Sequence, residues 1–294
     1  MSNLKKKVLV IGANGFIGSH LCDALNKKGY QVIGLYYNSG KRNTDIRDFK
    51  SILKILKKHK PEAVFHTAAV LPGRKDNPFL FFEVNTKGTF NLLEACRLQG
   101  VKKFIYSSTM SVYGKDIEYL PIDEKHPTNV SDFYGLTKFL GEELVRFYAK
   151  NHNLNAIVLR YSGVYGPGKE QGAVANFIRN AKQNKPLKIS NNICWDIIYI
   201  KDVVEANIKA LEKADKLKFE IINIGSGKEI NINNLAEKII KITGSKSNIV
   251  FNKSLPCFHF YFNINKAKKL LKFKPCSYDT SLKANITEIE LCSK

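Results

Sequence analysis

Through the first two-thirds of the chain, short apolar runs of strand length alternate with amphipathic stretches of helical length. That alternation argues for βαβ units feeding a parallel sheet. The predicted strands are "KVLVIG", "QVIGLY", "AVFHTA", "KFIYSS", "NAIVLRY" and "EIINIG", with helices at Phe16 to Lys28, Phe49 to Lys58, Phe82 to Leu98 and Tyr134 to Asn151. Right-handed crossovers then give an α/β fold, a doubly wound parallel sheet with ligands at the carboxyl ends of its strands. Beyond Gly166 the pattern changes to a glycine-rich loop, "YGPGKEQG", helices near 174–184 and 231–243, and a basic amphipathic tail. This reads as a smaller lobe interleaved with the last strands.

The first chemistry appears where the first strand ends. "VLVIGANGFIGSHL" sets Gly12, Gly15 and Gly18 between that strand and the mouth of the first helix. Glycines there permit a tight turn, close approach of backbone to a pyrophosphate and close helix-on-strand packing, while the helix N-terminus offers NH groups and a positive dipole end. A purely structural glycine turn is the minor alternative in this context. Tyr134 and Lys138, four apart on a predicted helix, share a face. An ammonium beside a phenol favours the phenolate, so the pair can serve as an acid and base, although such a spacing also arises by chance on many helices.

Composition narrows the setting. The 294 residues, 44% of them hydrophobic, suffice for one large or two closely joined domains. The formal charge of +21 is mostly lysine spread over the whole chain, a compositional bias more than a nucleic-acid patch. Six scattered cysteines form no CxxC pair and no Cys/His cluster at metal-ligand spacing, so no metal is expected and a reducing, cytoplasmic setting fits. "VLVIG" is too short for a signal-peptide core, and no membrane helix is visible elsewhere.

The GxxGxxG spacing resembles the extended short-chain dehydrogenase/reductase family, of the NAD-dependent epimerase/dehydratase type that modifies nucleotide sugars. Further motifs recur in that family's order: "TDIRD" at 44–48, "HTAA" at 66–69, "VNTKGTFNLLEA" at 84–95, "SSTMSVYG", "YGLTK" at 134–138, "RYSGVYGPG" at 160–168 and "NIGSG" at 223–227. The resemblance covers nearly the whole chain. It implies a Rossmann-type dinucleotide-binding domain over 1–165, with return strands near 195–224, and a substrate-binding lobe over 166–294. Homodimerisation is implied by the resemblance alone.

The same resemblance implies site residues. Tyr134 is the proton donor and acceptor, Lys138 tunes it and binds the nicotinamide ribose, and Thr109 hydrogen-bonds the reacting sugar oxygen. The cofactor would be held by Gly12, Asn14, Gly15, Phe16, Ile17, Gly18, Tyr36, Ser39, Lys41, Arg42, Asp45, Ile46, Ala68, Ala69, Ser107, Tyr134, Lys138 and Tyr161. Substrate contacts would come from Asn85, Thr109, Gly163, Lys169 and Trp195, with a helix-start role equally open for Asn85.

Departures from the family pattern bear on the reaction. Met110 and Ser111 stand where sugar-nucleotide dehydratases carry an acidic pair, which argues against a 4,6-dehydratase. Tyr36 stands where NAD-binding members place a carboxylate, and Ser39, Lys41 and Arg42 follow it. Missing acid and nearby cations favour NADP modestly over NAD, although a Lys/Arg turn is also an ordinary solvated loop. Trp195 in "WDIIYIKD" replaces a diphosphate-gripping arginine, and a second expected arginine is missing from "SLPCFHFYFN". Trp195 could stack on a base or sugar, or simply pack at the lobe junction. The expectation is NADPH-dependent reduction of a 4-keto deoxy sugar carried on a nucleotide. The alternatives are a nucleotide-sugar 4-epimerase with tightly bound NAD, and a non-catalytic dinucleotide-sensing or RNA-binding member.

Overall fold

A computed structural model describes residues 6–36, 44–73, 77–190, 193–252 and 258–291. The chain begins with strand β1 (Lys7–Ile11), helix α1 (Phe16–Lys27), β2 (Gln31–Leu35), α2 (Phe49–His59) and β3 (Ala63–His66). Next come the short helix α3 (Pro78–Phe81), a π-helical turn (Phe82–Lys87), α4 (Gly88–Gln99), β4 (Lys103–Thr109), a 3₁₀ turn (Met110–Tyr113), α5 (Phe133–Asn151) and β5 (Asn155–Tyr161). The remainder carries β6 (Gly163–Tyr165), α6 (Ala173–Lys182), β7 (Leu187–Ser190), β8 (Ile193–Trp195), β9 (Ile197–Tyr199), α7 (Ile200–Leu217) and β10 (Phe219–Ile224). It ends in β11 (Ile230–Asn231), α8 (Ile232–Thr243), β12 (Ile249–Asn252), β13 (Phe258–Phe260), α9 (Asn265–Leu271) and α10 (Tyr278–Leu291).

Six parallel strands form the main sheet in the order β10-β5-β4-β3-β1-β2, and they are the six read from the sequence. Their apolar runs are continuous because helices cover both faces of the sheet. Within β1, Val8 and Val10 pack into the core shared with Leu21 of α1 and Val203 of α7, while Leu9 and Ile11 pack against Ile52 of α2 and Leu92 of α4. Connections leave β1 and β3 in opposite directions, which opens a crevice beyond their carboxyl ends. The shape of the sheet thereby fixes where a ligand can sit.

One expected helix differs. In place of a single helix from Phe82 to Leu98, Asn77 caps a helix that starts at Pro78, and a π-helical turn intervenes before α4. Proline at the first helical position and an Asn cap explain the earlier start. The turn contains Asn85, whose side chain is bonded sideways into the fold, as described below. The other difference is α7, an amphipathic helix that the sequence reading did not place. It packs against β4, β5 and β10 and buries Val203, Ala206, Ala210, Leu211 and Ala214.

Outside the main sheet, β6 pairs with β9, β7 with β12, and β8 lies between β11 and β13. Asp196 ties these pieces together. Its buried carboxylate accepts hydrogen bonds from the Ser226 backbone NH (2.8 Å) and hydroxyl (2.7 Å) and from the NH groups of Gly227 and Phe262 (both 3.2 Å). Among the described residues no helix is long and apolar enough to cross a membrane.

Candidate active site

The glycine loop is shaped by contacts that admit no side chain. Gly12 has φ +87°, and a Cβ there would lie 2.7 Å from the Ala68 nitrogen. A Cβ on Gly18 would lie 2.0 Å from the Gly12 carbonyl oxygen, so α1 can approach β1 only with glycine at that point. The loop is held by Gly12 and Ala13 NH groups donating to Leu35 O (2.8 and 3.0 Å) and by Gly15 NH donating to Gly12 O (2.9 Å). No side chain caps α1, so its first NH groups and positive dipole end face the crevice.

A cleft of about 690 Å³ runs from the end of β2 over this loop to the ends of β4 and β5. It is lined by Gly12, Asn14, Gly15, Phe16, Ile17, Gly18, Tyr36, Asp45, Ile46, Ala68, Ala69, Ser107, Thr109, Tyr134, Lys138, Tyr161 and Lys169, all expected from the sequence. Thr44, Arg47, Thr67, Val70, Leu80, Val84, Ser162 and Val164 also line it and were not foreseen. Ser39, Lys41 and Arg42 lie outside the described residues. The volume, the anion-ready helix end and the glycine cradle fit an elongated dinucleotide. Asp45 at one end is gripped by Arg47, whose Nη2 lies 2.6 Å from its carboxylate.

Three expected substrate contacts stand outside this lining. Asn85 is buried, accepting from Val70 NH (2.8 Å) and donating to Val70 O (3.2 Å) and the Thr137 hydroxyl (3.1 Å). Its side chain braces the cleft wall and is not among the residues that line the cleft. Trp195 packs on Phe258 with ring centroids 5.5 Å apart and reaches Gly163, where a Cβ would come within 3.1 Å of the indole nitrogen. Of the two readings open for Trp195, this geometry favours packing at the lobe junction. Lys169 does reach the cleft, its Nζ 5.1 Å from the Phe16 ring, and burial lowers its pKa.

At the far end, β4 delivers Thr109 and α5 delivers Tyr134 and Lys138. Asp132 starts α5 by accepting from Gly135 NH (2.6 Å), and a Cβ on Gly135 would meet Ser111 O at 2.6 Å. Glycine therefore lets the helix start close against the turn that follows Thr109. Thr109 accepts from Ser111 NH and donates to the Ser111 hydroxyl, both at 3.2 Å. Burial pushes the Tyr134 phenol up to about 12, a shift opposed by hydrogen bonding with Thr109. Burial likewise brings Lys138 down to about 7, and the nearby Glu142 carboxylate opposes it. The Lys138 ammonium sits 4.0 Å over the Tyr106 ring.

Glu142 itself is sealed against Arg160 of β5 and accepts a short hydrogen bond from Ser108, the neighbour of Thr109. One buried carboxylate thus links the helix bearing Tyr134 and Lys138 to the strand bearing Thr109. Behind the cleft floor, Tyr161 meets the Ser107 hydroxyl (3.2 Å) and accepts from Asn207 (2.9 Å).

Comparison with known proteins agrees with this fold. The profile of the NAD dependent epimerase/dehydratase family matches residues 8–225. A putative UDP-glucose 4-epimerase of Methanocaldococcus jannaschii is 35% identical, over 90% of this chain and 92% of that protein. The crystal structure of Thermotoga maritima UDP-glucose 4-epimerase with UDP-glucose superposes with a TM-score of 0.88 at 30% identity, covering 98% of this chain and all (100%) of that one. Bacillus cereus UDP-glucuronic acid 4-epimerase, solved with UDP-glucuronic acid and NAD, gives 0.86 at 32% identity over 97% and 99% of the two chains. Relatives solved with NAD lend no support to the NADP preference drawn from Tyr36 and the cations after it. With the sheet, the glycine cradle and the length of the match in agreement, the chain belongs to the NAD dependent epimerase/dehydratase family of extended short-chain dehydrogenases/reductases.

Proposed function

We propose that this enzyme is an NAD-dependent nucleotide-sugar 4-epimerase, in place of the NADPH-dependent reductase that the sequence first suggested. The observation carrying this reading is the convergence of Thr109, Tyr134 and Lys138 on a dinucleotide-sized cleft, in a chain similar to several proteins named as 4-epimerases and to one named as a UDP-sugar decarboxylase. Nicotinamide, when bound, supplies reversible acceptance and return of hydride. The chain's own task is then the proton. Tyr134 takes it from the sugar hydroxyl during oxidation and gives it back during reduction, and Thr109 steadies the oxygen on which charge changes. A charged Lys138 one turn along the helix favours the phenolate against the burial that opposes it.

Residues 166–294, apart from α7 and β10, serve as the substrate lobe in this reading, and the substrate is a nucleoside-diphosphate sugar. The usual arginine at the Trp195 position is missing, so Lys169, already in the cleft, is the cation assigned to the diphosphate. A homodimer is part of the proposal. Phe79, Phe82, Phe90, Phe133 and Phe147 are exposed at 82, 51, 45, 52 and 56% along α3, the π-helical turn, α4 and α5, an apolar face of the kind that pairs subunits. A cytoplasmic location suits Cys22 and Cys96, which remain thiols.

The test is turnover by the purified protein on UDP-hexoses and UDP-hexuronic acids, followed by chromatography and near-ultraviolet absorbance. Interconversion of 4-epimers with no net change in reduced dinucleotide is expected. Stoichiometric NADPH consumption on a 4-keto sugar, with no epimerisation, would return the assignment to a reductase.

A further inference from the structure

The small sheet of the second lobe joins strands distant in sequence, and its register sets His259 of β13 and Asn231 of β11 on either side of Cys194. Strand alternation separates these residues from Trp195, Phe258 and Phe260, whose rings pack together on the other side. Glu229, immediately before β11, meets the His259 Nδ1 at 2.6 Å. One ligand atom each from Cys194, Glu229 and His259 lie within 4.8 Å of one another. The Asn231 amide lies 3.8 Å from the Cys194 sulfur, placed to donate to it.

We propose that Cys194, Glu229 and His259 form a binding site for a divalent transition-metal ion of the zinc class. Sulfur and imidazole donors favour Zn²⁺ or Co²⁺ over Mg²⁺ or Ca²⁺, and three protein ligands leave a fourth tetrahedral position for water. On binding, the thiol gives up its proton to solvent as the sulfur–metal bond forms, and His259 binds as neutral imidazole through one ring nitrogen with its proton on the other, so that the ion replaces the hydrogen bond between His259 and Glu229. The Asn231 amide then supplies an outer hydrogen bond to the thiolate. No ligand spacing is visible in the sequence because the donors come from separate elements brought together by strand pairing. The ion would clamp these elements just behind Trp195, which reaches Gly163 between the cleft-lining residues Ser162 and Val164. The site is independent of the reaction assigned above.

Trp195 is the chain's only tryptophan and adjoins Cys194, so it reports on the site directly. Titrating the reduced, metal-free protein with Co²⁺ should give a saturable one-to-one response: quenched tryptophan fluorescence, visible d–d bands of a tetrahedral ion and a near-ultraviolet thiolate-to-cobalt band. Zn²⁺ should displace the colour. Cys194→Ser should abolish the thiolate band, and His259→Gln, at an exposed position, should weaken Co²⁺ binding at least ~10-fold. No saturable binding to the wild-type protein, a thiolate band surviving in Cys194→Ser, or undiminished affinity in His259→Gln would each overturn the proposal.

Discussion

Arg160 and Glu142 form an ion pair with 2.6 Å between Nη2 and Oε2, at side-chain exposures of 3 and 0%, one helical turn beyond Lys138. Both charges are paid for by each other, since water reaches neither. Arg160 also lies over the Tyr113 ring, 4.8 Å from its centroid, and the Ser108 hydroxyl occupies another lone pair of Glu142.

Removing one partner leaves a buried charge alone. Glu142→Gln should therefore destabilise the fold by about 3–5 kcal/mol, while Glu142→Gln combined with Arg160→Met should recover part of that loss. Denaturant melts of the two variants decide it, and a neutral Glu142→Gln would show that the pair is hydrated and weak.

Lys138 links pH to stability. Its folded pKa of about 7 lies below its ordinary 10.5, so between those values the unfolded chain binds more protons than the folded one. Stability of the cofactor-free protein should then rise as pH increases from about 7 toward 10.5, and this component should vanish in Lys138→Met. A wild-type protein whose Lys138 contribution is flat over that interval would mean that the ammonium stays charged when buried.

Tyr134→Phe removes the proton carrier and keeps the ring. Turnover should fall by about 10²–10⁴-fold while dinucleotide binding is retained. Undiminished turnover would move the acid and base elsewhere.

Gly18→Ala puts a methyl 2.0 Å from the Gly12 carbonyl oxygen, where only backbone can give way. The variant should lose dinucleotide retention, read as the nucleotide absorbance of the purified protein. Wild-type retention would contradict the cradle described for β1 and α1.

Phe90→Glu with Phe147→Glu charges the exposed aromatic face of α4 and α5. Sedimentation should show a dimer for the wild-type chain and a monomer for the variant. A monomeric wild type would refute the pairing.

The main sheet was legible because its central strands are covered on both faces and so read as apolar runs, as in β1 and β3. The site was legible where backbone chemistry restricts residue type, as at Gly12 and Gly18, and where one helix turn brings Tyr134 beside Lys138. What escaped was tertiary. Asn85 looks like a polar residue available to substrate, yet its two-sided bonding to Val70 and its contact with Thr137 are long-range. Glu142, Arg160 and Asp196 likewise gain their roles only from partners on other elements. Trp195 could be located as a departure in sequence, but its packing against Phe258 depends on the pairing of β8 with β13.

The central claim is that hydride removed from the sugar returns to the same sugar. A nucleotide sugar deuterated at C4, incubated with the purified enzyme, tests this by mass spectrometry and proton NMR of the products. The account predicts a C4-epimerised product that keeps deuterium at C4, with none appearing in free reduced dinucleotide. Deuterium lost from the sugar into released dinucleotide, or no change at C4 on any nucleotide sugar tried, would contradict it.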